Sequence, residues 1–193
     1  MNNKDQGAAR LWLQRHAPVI APAGLCYGAT DLDARADDTR AAAARIAQVL
    51  PAGIVLWSSP LRRCAMLADA IAALRPDLSV RRDARLAEMS FGAWEGRLWS
   101  AVAREEFEAW TNRFADAPAG GDGESVRVFM ARVASAHADW IATGADALWV
   151  THAGVLRAVQ LLSQGVSCPE RADQWPNDAA AFGDWRVVAA PIT

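Results

Sequence analysis

Residues 53–63 read Gly53-Ile54-Val55-Leu56-Trp57-Ser58-Ser59-Pro60-Leu61-Arg62-Arg63. They pass from a short apolar run, long enough for one buried strand, into a helix start. Ser59-Pro60 predicts an N-cap followed by proline at the first helical position. The helix after it carries Leu61, Cys64, Ala68 and Ile71 at spacings of three and four. A buried strand that runs directly into an amphipathic helix is the unit from which parallel α/β sheets are built.

The same unit recurs along the chain. Leu11-Trp12-Leu13 is an apolar run that ends in Gln14-Arg15-His16. Ala147-Leu148-Trp149-Val150 runs into Thr151-His152-Ala153-Gly154 and a further helical pattern from Val155. An Ala-rich helix is expected over residues 37–50, stopped by Pro51, and a short strand over 79–82. From Glu124 onward Val126, Phe129, Met130, Val133, Trp140 and Ile141 form one stripe of a long amphipathic helix. His137 falls on that stripe and reads as a structural histidine. The expected fold is therefore α/β: a three-layer α/β/α domain with a central, mostly parallel sheet.

Length and composition agree. The 193 residues suit a single domain, 1–193, with residues 1–9 as a flexible tail. Half of the chain is hydrophobic (52%) and 22% is charged, a globular balance. The formal net charge of −2 comes without a dense Lys/Arg run, so neither nucleic acid nor a membrane surface is indicated as a partner. No apolar stretch approaches the ~18 residues of a membrane span. The opening MNNKDQGAAR lacks the apolar core of a signal peptide, which makes the cytoplasm the default location. Cys26, Cys64 and Cys168 form neither a disulfide framework nor a zinc-ligand spacing and read as small buried residues.

The chemistry collects where strands end. Ligands of open α/β sheets bind outside the carboxyl ends of the strands. Parallel strands would place Arg15-His16, Ser58 to Arg63 and Thr151-His152 on one edge. Arginines there offer planar donor forks suited to phosphate oxygens, and a helix start adds free N–H groups. A neutral imidazole is a competent nucleophile towards phosphorus, and nearby cations keep it neutral. The same cations stabilise the transferring phosphoryl group, so no metal or other cofactor is called for. One carboxyl group is still needed to protonate the leaving oxygen.

These residues resemble the signatures of the histidine phosphatase (phosphoglycerate-mutase-like) superfamily. Leu13-Gln14-Arg15-His16-Ala17 is similar to its Arg-His-Gly element, with Ala17 in place of the usual glycine. Ser59-Pro60-Leu61-Arg62-Arg63 resembles its Ser-Pro-Leu-x-Arg segment, which points to Arg63 and not Arg62. Leu86 to Gly96 resembles the stretch that begins with the acid and ends in Trp-Glu-Gly, which implies Glu88 as proton donor. Gly123-Glu124-Ser125 and Val150-Thr151-His152-Ala153-Gly154-Val155-Leu156-Arg157 complete the order. The resemblance implies His16, Glu88 and His152 as catalytic residues, and Arg15, Arg63 and His152 as the holders of the phosphoryl oxygens.

Gly24-Leu25-Cys26-Tyr27-Gly28-Ala29-Thr30-Asp31 resembles the α-ribazole phosphatase branch, which acts in nucleotide-loop assembly of cobalamin. The implied substrate is a small-molecule phosphate monoester. Three rivals stay open: a phosphoglycerate mutase, a broad sugar or nucleotide phosphatase, and a non-catalytic binding module on the same fold. The aromatics between Glu88 and Gly123 (Trp94, Trp99, Phe107, Trp110 and Phe114) suit either a lid over a flat base or plain packing. A homodimer is one arrangement the sequence allows.

Overall fold

The computed structural model describes residues 8–191. Residues 1–7, most of the expected tail, lie outside the described residues.

Five strands form one sheet in the order β3-β2-β4-β1-β5: β1 Arg10–Arg15, β2 Val55–Ser58, β3 Ser79–Arg82, β4 Ala147–Thr151 and β5 Trp185–Ala189. The first four run parallel, while β5 lies antiparallel against β1 at the edge. β5 has no counterpart among the strands expected from sequence. Its alternating half-buried pattern is that of an edge strand with one solvated face. The central β4 is buried at every position, as a strand covered on both faces must be.

Alternation along the strands sorts the side chains into two cores. Leu11, Leu13 and Trp149 face α4 (Val126–Thr143) and α5 (Ala153–Ser163) with Phe129, Val133 and Val155. Trp12, Leu56, Leu148 and Val150 face α1 (Ala36–Ala47) and α2 (Arg62–Leu74) with Ile46, Leu67 and Ile71. The expected α/β/α layering results, with a period of two deciding which layer each strand residue feeds.

The structure corrects one boundary that matters for the site. α2 begins at Arg62 with Leu61 as its N-cap, not at Ser59-Pro60. Ser59 and Pro60 instead form a turn. The first orphan donors of the helix are already used, since Leu61 N–H donates to Ser59 Oγ (3.3 Å) and Arg62 N–H to Asp31 Oδ1 (2.6 Å). A short helix, α3 (Arg104–Thr111), has no buried residue of its own and lies within the aromatic segment. Cys26 and Cys64 are buried and Cys168 is half-buried, all as free thiols. His137 packs against Trp140 at a centroid distance of 5.3 Å.

Candidate active site

The strand ladder continues one residue beyond β1 and β2. His16 N–H donates to the Thr151 carbonyl and Ser59 N–H to the Val150 carbonyl, each at 3.0 Å. Those two bonds fix three strand exits side by side. The rings of His16 and His152 consequently meet edge-on, with centroids 5.2 Å apart.

His16 is 3% exposed. Its Nδ1 lies 2.7 Å from the Ala17 carbonyl, which can only accept. Nδ1 therefore carries the proton and Nε2 keeps a free lone pair. Burial, and then the charge of Arg63 with a smaller share from Arg15, pushes the His16 pKa down to about 3 against the pull of the Ala17 carbonyl. The imidazole is neutral at ordinary pH, as a nitrogen nucleophile must be. Ala17 is fully buried, and among the described residues none but glycine has a positive φ. An alanine here thus costs no backbone strain.

Arg63 is completely buried. Nε donates to His152 Nδ1 (3.2 Å), Nη1 to the Thr30 carbonyl (2.7 Å) and Nη2 to the Gly28 carbonyl (2.6 Å). Those bonds lock the fork and leave one N–H on each Nη for a ligand. Arg62 points elsewhere, towards Asp33, with a side chain 63% exposed. Arg15 donates from Nη1 to the Ala180 carbonyl (3.0 Å) and stacks on Phe182 at 3.7 Å, while its Nε is buried without a partner.

His152 caps α5 and is wholly buried. Because Nδ1 accepts from Arg63, the proton sits on Nε2, 2.8 Å from Ser59 Oγ. Burial, then Arg63 and His16, hold its pKa well below that of free histidine. Both ring nitrogens are engaged by the protein. His152 is beside the cavity rather than on its wall, and its N–H reaches a phosphoryl oxygen only by leaving Ser59.

Glu88 sits at the N-terminus of α5, where Oε2 accepts the Gly154 N–H at 3.0 Å and Oε1 the Met89 N–H at 3.1 Å. Its segment is held from α4. All five N–H groups of Arg132 are used: Nη1 on the Arg85 and Ala87 carbonyls, Nη2 on the Glu88 carbonyl and Glu124, and Nε on Glu124. Glu124 Oε2 also takes the Ser90 N–H. Gly28 presses on the same segment, since a Cβ there would lie 1.8 Å from the Met89 carbonyl. Glu95 then ties this segment to the loop that holds Arg63, accepting the N–H groups of Phe91, Ala29 and Thr30.

Arg15, His16, Tyr27, Arg63, Glu88 and Ala153 share the wall of a cavity of about 180 Å³. Two fixed cations, a neutral histidine with a free nitrogen and a carboxyl group around one small space can hold and transfer a phosphoryl group. Residues 11–181 match the family model of the histidine phosphatase superfamily, branch 1.

The chain belongs to the histidine phosphatase superfamily.

It is accordingly a phosphatase. Solved structures similar to this histidine phosphatase include TTHB049 from Thermus thermophilus, at 31% identity over 93% of this chain and 92% of that one, TM-score 0.69. A candidate α-ribazole-5′-P phosphatase from Escherichia coli K-12 shares 28% identity over 94% and 90%, TM-score 0.78. A mycobacterial glucosyl-3-phosphoglycerate phosphatase shares 25% over the same shares of the two chains, TM-score 0.78. No curated protein sequence matches the chain.

A second and larger cavity, about 780 Å³, adjoins the first, and Glu88, Phe91 and Trp99 line both. Its wall is dominated by aromatics: Trp99, Phe107, Trp110, Phe114, Phe129 and Trp175. The aromatics between Glu88 and Gly123 thus do more than pack a helix; they enclose a space that starts at the carboxyl group. Of those named, Trp94 is not on this wall; it is buried in the core, 3% exposed.

Sequence reasoning overlooked Phe182, whose ring touches both His16 (5.4 Å) and Arg15. It also overlooked Arg132. Phe182 precedes the unanticipated β5, and only the pairing of β5 with β1 brings it to the site. The Arg132 signal was present, eight residues after Glu124 on the α4 face that meets the Glu88 segment, but nothing local marks it.

Among the described residues no helix is long and apolar enough to cross a membrane, and no three His, Cys, Asp or Glu side chains gather as a metal site would require.

Proposed function

We propose that this histidine phosphatase hydrolyses a phosphate monoester whose alcohol carries a flat apolar ring, through a phosphohistidine on His16, and that the ester is α-ribazole 5′-phosphate of cobalamin assembly, in the cytoplasm. His16 Nε2 attacks phosphorus in line, and the bond to the leaving oxygen breaks. Glu88 gives that oxygen its proton. Water then attacks the phosphohistidine while the Glu88 carboxylate takes its proton. The P–N bond breaks, and His16 returns neutral as inorganic phosphate departs. Arg15 and Arg63 hold the phosphoryl oxygens throughout, joined by His152 when its N–H turns from Ser59.

One observation carries the reading of the alcohol. Glu88 lies on the walls of both cavities, so the group it protonates stands between the phosphoryl pocket and the aromatic one. A leaving alcohol that carries an aromatic ring, such as a benzimidazole riboside, suits a wall of aromatic rings set edge-on and tilted to one another. The similarity to the E. coli candidate α-ribazole-5′-P phosphatase supports the same choice.

The test is a kinetic comparison across phosphate monoesters that includes α-ribazole 5′-phosphate, a sugar phosphate, glucosyl-3-phosphoglycerate and 3-phosphoglycerate. A kcat/KM for α-ribazole 5′-phosphate at least tenfold above the others is expected, with labelled phosphate trapped on His16 and none in His16→Ala. Label on any other residue, or a clear preference for the sugar esters, would overturn the proposal.

A further inference from the structure

Two residues on the wall of the aromatic cavity each carry a donor that the protein leaves unused. Trp110 Nε1 and Arg157 Nε are both buried from water and have no hydrogen-bond partner, and both residues line this cavity. Folded chains pair nearly all such groups, because leaving one unpaired forfeits its hydration with nothing in return. Two other buried indoles are paired: Trp94 Nε1–H donates to Glu106 and Trp140 Nε1–H to the Ala145 carbonyl, each at 3.0 Å.

Among the described residues Arg157 has no ion pair, and its one hydrogen bond runs from Nη2 to the Asn177 carbonyl at 3.4 Å. Arg104, the other arginine on this wall, is paired with Glu108. Arg157 follows Gly154 by three residues on α5, so it lies on the same helix face, about 4.5 Å along the axis. The Gly154 N–H is the donor that holds Glu88. A ligand group met by Arg157 is therefore within about one helical turn of the reacting oxygen. A guanidinium beside an indole N–H offers donors to oxygen acceptors, and the hydroxyl and ether oxygens of a sugar supply such acceptors.

We infer that Arg157 and Trp110 are specificity-determining residues that bind hydroxyl or ether oxygens on the leaving alcohol, making the substrate class a ring-bearing riboside phosphate rather than a plain aryl ester. The inference rests on the reading of the aromatic cavity as the place of the leaving group.

Calorimetric binding of the free alcohols tests it without any turnover. The probes are α-ribazole, which has both ring and ribose oxygens, and 2-naphthylmethanol, which has the ring alone. The wild-type protein should bind α-ribazole at least tenfold more tightly. Arg157→Met should weaken α-ribazole by roughly 10- to 100-fold, as loss of a hydrogen bond to a charged group does. Naphthylmethanol should change less than twofold, and Arg157→Lys should recover part of the loss. Trp110→Phe, which keeps an aromatic wall without the N–H, should weaken α-ribazole by about three- to tenfold. Equal losses for both alcohols, or no loss for either, overturn the inference, as does equal binding of the two by the wild type. Failure of the phosphatase reading would show separately, as absent phosphohistidine with the binding pattern intact.

Discussion

The Gly154 N–H donates to Glu88 Oε2 at 3.0 Å, and a Cβ on Gly154 would come within 2.1 Å of Oε1 of the same carboxyl group. Glycine is thus favoured next to Glu88 for space, not for backbone angle. Gly154→Ala should displace the carboxyl group and slow hydrolysis of an alkyl phosphate by roughly 10²–10⁴, the range ascribed to general acid catalysis. A p-nitrophenyl ester, whose leaving group needs no proton, should lose far less. Comparable losses on the two esters would mean that Glu88 is not the acid or that the substitution damages the site more broadly.

Arg132 should matter more to stability than its half-buried position suggests. Arg132→Met removes five hydrogen bonds and leaves Glu124 without its cation in a largely enclosed setting. Loss of one partner of such a pair typically costs about 3–5 kcal/mol. A urea midpoint shifted down accordingly, at unchanged slope, is the expected reading. Arg132→Lys should recover only a minor part, because an ammonium cannot serve five divergent acceptors. A midpoint within experimental error of the wild type would rule out the clamp.

The neutral burial of His16 has a pH signature. An unfolded histidine takes up a proton below about 6.5, whereas folded His16 waits until about 3. Between those values the unfolded state binds more protons, so stability rises with pH across the window and falls as the pH drops. His152 is displaced in the same direction. The wild type should lose stability between pH 7 and pH 5, and His16→Asn should lose less over the same interval. Denaturant midpoints at the two pH values measure this; parallel losses would show that His16 is not held neutral.

Phe182 should act through Arg15. The guanidinium lies 3.7 Å from the ring centroid, and a cation–π contact at a partly open site contributes about 0.5–1 kcal/mol. Phe182→Ala is expected to weaken competitive inhibition by inorganic phosphate or vanadate about two- to fivefold with a smaller change in kcat. An unchanged inhibition constant would remove Phe182 from the phosphate site.

Much of this molecule is legible in its residues taken in order. The apolar runs that end in Arg15-His16, Ser58-Ser59 and Thr151-His152 announce parallel strands, and parallel strands carry their exits to one edge. That local pattern pointed to the layered fold and to the gathering of His16, Arg63 and His152 on one edge, whereas Glu88 was named only by the family resemblance of its segment. Only the tertiary structure decided three other things. It set the start of α2 at Arg62, because Asp31 and Ser59 claim the donors that a Ser-Pro start would have left free. It brought Phe182 under Arg15 by pairing β5 with β1, across more than 160 residues of sequence. It turned His152 inward onto Ser59 and left Arg157 and Trp110 unpartnered beside the aromatic rings. The division has a physical cause. Strand and helix patterns arise from neighbours in sequence, whereas hydrogen-bond partners and cavities depend on groups that meet only after the layers have packed.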